Sequence, residues 1–177
     1  MRGTSDAWGS VDAPPSRDAA VTSLFHAHYR RLLGLAGLLV DDRGTAEEVV
    51  QDAFERLYRG WGSLRDPGAA VAYLDRSVVN GARSRLRRRL TERSHRPPEG
   101  DPWPSAEATA VDSRQRDHLV AAVRQLPQRQ REVIVLRYYL DLSEDQIAHW
   151  LGVSPGSVKK HAHRATTALQ KRMEAWA

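Results

Sequence analysis

Basic and polar side chains near the end of the chain have a spacing that suits contact with a polyanion. They are Ser157, Lys159, Lys160, His163 and Arg164. Lysine and arginine can donate hydrogen bonds to guanine edges or to phosphates, and a serine at a helix start adds a phosphate ligand. The chemistry that these residue types indicate is recognition of duplex nucleic acid.

The preceding residues have the pattern of two helices that cross at a tight turn. Ala148 is small where two helices must approach closely, Gly152 suits the turn, and Val158 can face the core. Such a pair forms a helix-turn-helix whose second helix can lie in a major groove. A small helical domain that merely contains a tight turn is the simpler alternative, but the basic outer face favours DNA binding.

A second basic surface lies upstream, on a predicted helix. Arg76, Asn80 and Arg83 recur at helical spacing, and residues 83–96 hold seven arginines and one glutamate. Basic residues near a helix C-terminus also favour the helix dipole, so a solvated helix end is an alternative. Two basic surfaces in different domains could hold two separated DNA sites at once.

An acidic surface contrasts with both. Residues 41–58 hold six acids and two arginines. The side chains opposite the apolar stripe of the predicted helix are Glu48, Gln51, Asp52 and Glu55. Differently charged surfaces on one chain indicate more than one partner.

Composition excludes several classes of protein. The chain has 177 residues, a formal net charge of +5 and no cysteine, so disulfides and thiolate metal sites are excluded. It contains no apolar run long enough to span a membrane, and we expect a soluble, cytoplasmic protein. The pairs His26/His28 and His161/His163 have a spacing that directs helical side chains to different faces. We therefore expect no catalytic residue, no metal and no cofactor.

The elements that must position these surfaces are predicted to be helices in two small domains. Residues 1–17 are expected to be a disordered tail, and 93–115, with four prolines, a flexible linker between domains at 18–92 and 116–177. The predicted helices are 21–40, one that starts near Thr45 with a capping box to Glu48, 69–90, 117–126, 127–140, 143–151 with a capping box at Ser143, and 155–174.

Four segments together resemble the extracytoplasmic-function (group four) sigma factors of bacterial RNA polymerase. The acidic helix, EEVVQDAFERLYRGW at 47–61, is similar to the region two core of that family, and AYLDRSVVNGAR at 72–83 to the helix that follows. LPQRQREVIVLRYYL at 126–140 and LSEDQIA through GVSPGSVK at 142–159 are similar to region four and its helix-turn-helix. The composition, rich in arginine, alanine and glycine, also fits an actinobacterial relative.

The resemblance implies a division of labour between the surfaces. The acidic residues Glu48, Gln51, Asp52 and Glu55 would bind the polymerase clamp, and region four would bind the polymerase flap. Region four would also read the −35 promoter element, and the residues for this are Ser157, Lys159, Lys160, His163 and Arg164. The −10 element would be held by Trp61, Ser63, Leu64, Arg76, Asn80 and Arg83, because unstacked bases need stacking surfaces beside positive charge. Trp61 could instead belong to the core.

The resemblance leaves open an anti-sigma factor as a further partner beside core polymerase and promoter DNA. A self-sufficient helix-turn-helix regulator is an alternative, although it leaves the acidic helix unexplained. An enzyme that acts on nucleic acid is the other alternative, but the sequence has no H-E-x-x-H motif, phosphate-binding loop or carboxylate cluster that would support it.

Overall fold

The computed structural model describes residues 16–64, 66–92 and 110–174, and within these ranges every regular element is helical. The first unit contains α1 (Arg17–Leu39), α2 (Arg43–Gly60) and α3 (Ala70–Glu92), with 3-10 turns at Trp61–Ser63 and Pro67–Ala69. The second unit contains α4 (Ala110–Arg124), α5 (Gln128–Tyr138), α6 (Glu144–Leu151) and α7 (Pro155–Glu174). The predicted all-helical architecture of two small units is confirmed. None of these described helices is long and apolar enough to cross a membrane.

The predicted tail and linker fall mostly outside the described residues. Residues 1–15 and 93–109 are not described, whereas Ser16 already caps α1 by accepting a hydrogen bond from the backbone N–H of Ala19. Helix α1 therefore begins four residues before the predicted start at residue 21. Helix α4 begins at Ala110, well before the predicted start at residue 117.

The three helices of the first unit pack against one another around an aliphatic core. The buried residues of each helix recur every three to four positions, as expected for amphipathic helices. The fully buried side chains include Leu35 of α1, Val50 and Leu57 of α2, and Leu74 and Val78 of α3. This packing turns the polar faces of α2 and α3 outward.

The start of α2 differs from the prediction. We expected a capping box from Thr45 to Glu48, but the N-cap is Asp42, whose carboxylate accepts from the Thr45 backbone N–H at 2.8 Å and from its hydroxyl at 2.9 Å. A carboxylate has two oxygens and can accept both bonds at once. Thr45 is therefore buried inside the first turn and does not begin the helix.

The second unit places α5 against α6 and α7. Val133 and Leu136 of α5 pack with Ile147 of α6 and Val158 of α7 in one apolar cluster. The predicted capping box at Ser143 is confirmed, since Ser143 and Gln146 cap each other's backbone N–H. The predicted bounds of α7 are also confirmed, whereas α5 ends at Tyr138, two residues early.

The two units also pack against each other, which the sequence did not indicate. Helix α1 contacts α4 and α5, and a single apolar cluster includes buried residues of both units. Arg124 of α4 donates to the carbonyl of Gly37 at 2.8 Å, and the Tyr139 hydroxyl donates to the carbonyl of Arg31 at 2.7 Å. These contacts bring the end of α6 beside α3.

Candidate nucleic-acid interface

Helices α6 and α7 form the helix-turn-helix. Gly152 ends α6 in the left-handed conformation, with φ of 66° and ψ of 42°, which glycine adopts at little steric cost. Ala148, Leu151 and Val158 are buried where the helices cross. Ser154 then caps α7 by accepting from the Ser157 backbone N–H at 3.2 Å. The turn and the crossing thus have the features predicted from the sequence.

One face of α7 presents the residues predicted to read DNA. Lys159, Lys160, His163 and Arg164 are exposed. Ser157 is half-buried and its hydroxyl lies 2.9 Å from that of Ser154, so both hydroxyls stand at the start of α7. The structure therefore brings these five predicted residues together at the start and along the outer face of one helix, which is the placement that major-groove contact requires.

The residues predicted for the second DNA site lie between α2 and α3 and along α3. Trp61 and Leu64 are half-buried and pack against the core of the first unit, so Trp61 joins the core and keeps part of its ring accessible. Ser63 is exposed and its hydroxyl donates to the carbonyl of Gly60 at 2.8 Å. Asn80 is exposed on α3. Trp61, Ser63 and Leu64 thus give a mixed apolar and polar surface after α2, and Asn80 adds an exposed polar side chain on α3.

The two arginines predicted for that surface contact the second unit. The Arg76 guanidinium lies 3.5 Å from the His149 ring and 5.8 Å from the centroid of the Trp150 ring. Arg83 donates to the carbonyls of Trp150 and Leu151, each at 3.3 Å, and lies 3.5 Å from the Glu132 carboxylate. Helical periodicity predicted that both arginines lie on one face of α3. It could not predict that the second unit would contact that face.

The acidic face of α2 is exposed but paired with arginines of its own unit. Arg85 of α3 donates to Asp52 at 3.0 Å and also contacts Glu48, while Glu55 pairs with Arg59 at 2.8 Å. The hydrogen bond to Asp52, aided by Glu48, raises the pKa of Arg85 against the opposing effect of burial. Gln51 is exposed beside them.

Some of the arginines on α3 therefore form ion pairs within the first unit. Besides Arg85, Arg89 donates to the carboxylate of Asp42 and to the hydroxyl of Thr45, each at 2.6 Å. Arg85 and Arg89, which were not among the residues predicted to contact DNA, thus pair with carboxylates of α2 and its N-cap. The opposite net charges of residues 41–58 and 83–96 were the signal for this pairing.

An apolar groove of about 410 Å³ is lined mainly by the second unit, with Leu38 of α1 also contributing to its wall. Exposed side chains at its rim are Leu119 of α4, Tyr138 at the end of α5 and Met173 of α7. Exposed apolar surface of this kind commonly marks a protein-binding site. Across the described residues, no group of three or more histidine, aspartate or glutamate side chains is arranged to hold a metal ion.

Comparison with known proteins places these features in a family. The family model "Sigma-70 region 2" matches residues 24–91, and "Sigma-70, region 4" matches residues 116–169. The RNA polymerase sigma-E factor of Streptomyces avermitilis is 34% identical over 143 residues, which cover 81% of this chain and 79% of that protein. The ECF RNA polymerase sigma factor SigM of Mycobacterium tuberculosis is 34% identical over 155 residues, with 86% and 76% covered.

The fold is likewise similar to a solved structure. The sigma factor RpoE of Bartonella quintana, in complex with the anti-sigma factor NepR, matches with a TM-score of 0.71 and 22% identity, over 86% of this chain and 96% of that one. The chain therefore belongs to the sigma-70 family of RNA polymerase sigma factors. Within the family it is an extracytoplasmic-function sigma factor, a factor for promoter-specific initiation of transcription. The first unit is region two of this family, and the second unit is region four.

Proposed function

We propose that α7 reads the −35 element of the promoter. The exposed basic face of the second helix in a helix-turn-helix is the single observation that carries this proposal. Lys160 and Arg164 lie one helical turn apart on that face, and both can donate to guanine edges or phosphates. Ser157 and the α7 N-terminus face the same side and suit a backbone phosphate.

The −10 element would bind to region two. Trp61 and Leu64 offer apolar surface next to the exposed Ser63, and Asn80 offers an exposed polar side chain on α3, which are the types of group that an unstacked base requires. Arg76 and Arg83 would then follow the non-template strand. We further assign region two to 18–92 and region four to 116–177, joined by 93–115, of which residues 110–115 belong to the start of α4.

The acidic face of α2 would bind the clamp of core polymerase. Glu48, Gln51, Asp52 and Glu55 share one side of the helix, and three of the four can carry negative charge. The three carboxylates now pair with Arg85, Arg56 and Arg59 of the chain itself, and a basic polymerase surface could compete for them. Complementary charge of this kind favours fast and specific association.

The apolar groove of region four would bind the polymerase flap. Leu119, Tyr138 and Met173 at its rim give an apolar surface on region four away from α6. Region four could therefore hold the flap and the −35 element at the same time.

Other parts of the assignment follow from the family. An anti-sigma factor is a further partner, by analogy with the complex of the Bartonella protein. The chain would act in the cytoplasm, and it would supply no catalytic residue, since bond formation belongs to the polymerase.

Run-off transcription tests the proposal. Purified chain, core polymerase and promoter DNA should give a defined transcript, and omission of either protein should abolish it. A transcript of equal yield from core polymerase alone would contradict the proposal. A variant with Lys160→Ala and Arg164→Ala should lose transcription from a promoter that depends on its −35 element.

A further inference from the structure

Among the described residues, the apolar groove of region four is open at its rim. Leu119, Tyr138 and Met173 are 42%, 68% and 53% exposed, so apolar surface stays in water next to the lining of the groove. Removal of apolar surface from water is favourable. An apolar side chain within reach of the rim would therefore be stabilised by packing there.

Helix α7 supplies one wall of the groove through residues on a single stripe. Thr166, Leu169, Gln170 and Met173 line the groove at spacings of three and four, which is the repeat of one helix face. The next position in this stripe is 176, three residues after the last of them. The residue at that position is Trp176.

The last turn of α7 is fixed at the rim of the groove. Arg172 donates to the carbonyl of Ala122 at 3.2 Å, and Ala122 lies one turn after Leu119 on α4. Three residues of fully extended chain span at most about 11 Å, and three helical residues span about 4.5 Å. Trp176 therefore cannot lie far from Met173, whatever path the chain takes between them.

The direction of helical side chains also favours contact between Trp176 and the rim. In an α-helix the Cα–Cβ bond tilts toward the N-terminus, so a long side chain covers the surface of the preceding turn. On the register of α7, that surface is Met173 and the groove beside it. An indole ring can bury roughly 150–250 Å², and its Nε1–H can stay in water at the edge of the rim.

We propose that Trp176 docks on the rim of this groove in the free protein and covers the surface that we assign to the polymerase flap. The occupant of the groove is thus residues 175–177 of the chain itself. Because the ring is tethered a few residues from its site, its effective concentration there is high. The docking does not depend on the proposed function, but its effect on polymerase rests on the assignment of the groove to the flap.

The ε-methyl group of Met173 reports the occupation of the groove directly. The chain has two methionines, Met1 and Met173, so ¹³C-methyl labelling of methionine gives one signal at the groove and one internal control. An indole ring over Met173 should displace its methyl signal through the ring current, and the ring should show nuclear Overhauser contacts to the Leu119 methyl groups on α4. Trp176→Ala should move the Met173 signal toward that of a solvent-exposed methionine and leave the Met1 signal unchanged.

Two further variants control for the loss of a ring. Ala175→Trp with Trp176→Ala keeps the composition but turns the ring by about 100° around α7, and it should behave like Trp176→Ala. Trp103→Ala removes an indole elsewhere in the chain and should leave the Met173 signal unchanged. A Met173 signal that is the same in the wild type and in Trp176→Ala would overturn the proposal. A signal that moves only in Trp103→Ala would also overturn it, because the linker would then cover the groove.

Polymerase binding measures the consequence of the docking. A flap that binds the groove must first displace the ring, and the apparent affinity falls with the fraction of free molecules whose groove is open. Trp176→Ala should therefore tighten the binding of core polymerase by roughly 2- to 10-fold, which corresponds to a groove that is open in about 10–50% of the free molecules. Titration of the labelled full chain with core polymerase measures this change, with Trp103→Ala as the control.

The outcomes separate this inference from the proposed function. If Trp176→Ala moves the Met173 signal but leaves the polymerase affinity unchanged, the ring docks and the assignment of the groove to the flap fails. If the variant binds polymerase more weakly, Trp176 is a polymerase contact and its covering role is overturned. Run-off transcription by the wild-type chain reports the proposed function in either case.

Discussion

Arg85 of α3 donates to Asp52 of α2 at 3.0 Å and contacts Glu48 on the same helix with its other terminal nitrogen. One arginine thus bridges two of the carboxylates that we assign to the polymerase clamp. The bridge fixes the orientation of both carboxylates and keeps the acidic face from being a purely solvated surface. Polymerase must therefore either replace Arg85 or bind the carboxylates together with it.

Charge reversal on this face should weaken polymerase binding. Asp52→Arg with Glu55→Arg should lower the affinity for core polymerase while helicity is retained, because neither side chain is in the core. Exposed substitutions usually cost about 0.5 kcal/mol or less, and loss of the Arg85 pair adds roughly 0.2–1 kcal/mol. Titration of labelled protein with polymerase, together with circular dichroism, measures both effects.

The matched control for this variant is Glu47→Arg. Glu47 lies on the same helix and pairs with Arg43 at 2.6 Å, but it is outside the assigned face. The Glu47→Arg variant should reduce polymerase affinity much less than the double variant does. If the double variant binds core polymerase with unchanged affinity, the acidic face of α2 is only a solvated surface.

Lys160→Ala should weaken binding of the holoenzyme to duplex promoter DNA. The expected loss is roughly 1–3 kcal/mol if Lys160 contacts a base, and less if it contacts only phosphate. A pre-melted −10 bubble should not rescue the loss, because the missing contact lies upstream. Lys171→Ala, near the other end of α7, is the control and should have little effect. Full rescue by the bubble would show that Lys160 acts in melting instead.

Asn80→Ala should change base selectivity and leave duplex affinity largely intact. Asn80 is the exposed polar side chain between Arg76 and Arg83, so its loss should remove a preference for one base of the non-template strand. The loss should persist on a pre-melted template. The affinity of the holoenzyme for bubble templates with each base at each −10 position measures this base preference. Ser84→Ala, one turn further along α3, is the control. A wild-type base preference in the variant would show that the base pocket lies elsewhere.

Asp42 should make the stability of region two depend on acid pH. Burial disfavours its charged form, but hydrogen bonds from Thr45 and Arg89 outweigh this and hold the pKa of Asp42 below its ordinary value. Its contribution to the free energy of unfolding is therefore complete above about pH 3.9 and is lost as the pH falls through the lower folded value.

Two substitutions of Asp42 separate its effect as the N-cap of α2 from the effect of its negative charge. Asp42→Ala should cost about 0.5–2 kcal/mol, as for other N-caps, whereas Asp42→Asn keeps an acceptor and should cost less. Urea unfolding of each variant at neutral pH and in acid measures the two costs. Both variants should lose less stability in acid than the wild type does, and an equal loss in all three proteins would contradict the assignment.

Local chemistry explains which parts of the structure the sequence could predict. The Ser143 capping box and the Gly152 turn depend on residues a few positions apart, so their spacing was enough. The N-cap at Asp42 was missed because Thr45 and Glu48 had the same capping-box spacing, and because the contribution of Arg89 comes from 47 residues away. Whether a side chain meets DNA or another helix is a tertiary property, which periodicity cannot supply.

The packing of the two regions against each other is also a tertiary property that the sequence could not predict. The sequence placed Arg76 and Arg83 on one face of α3 and the helix-turn-helix in a separate unit. It held no local signal that Arg83 would meet Glu132, since this contact spans two units. Complementary charge could have suggested pairing between residues 41–58 and 83–96, but it could not select Arg85 and Arg89 from the seven arginines there.

The promoter affinity of the free chain and of the holoenzyme is the measurement that tests the central claim most directly. As a sigma factor that acts together with core polymerase, the free chain should bind a promoter weakly, and the holoenzyme should bind it tightly and select its sequence. Titration of one labelled promoter with each, at the same salt concentration, gives the two affinities. Equal affinity and equal sequence preference for the two would contradict the account and favour a self-sufficient DNA-binding regulator.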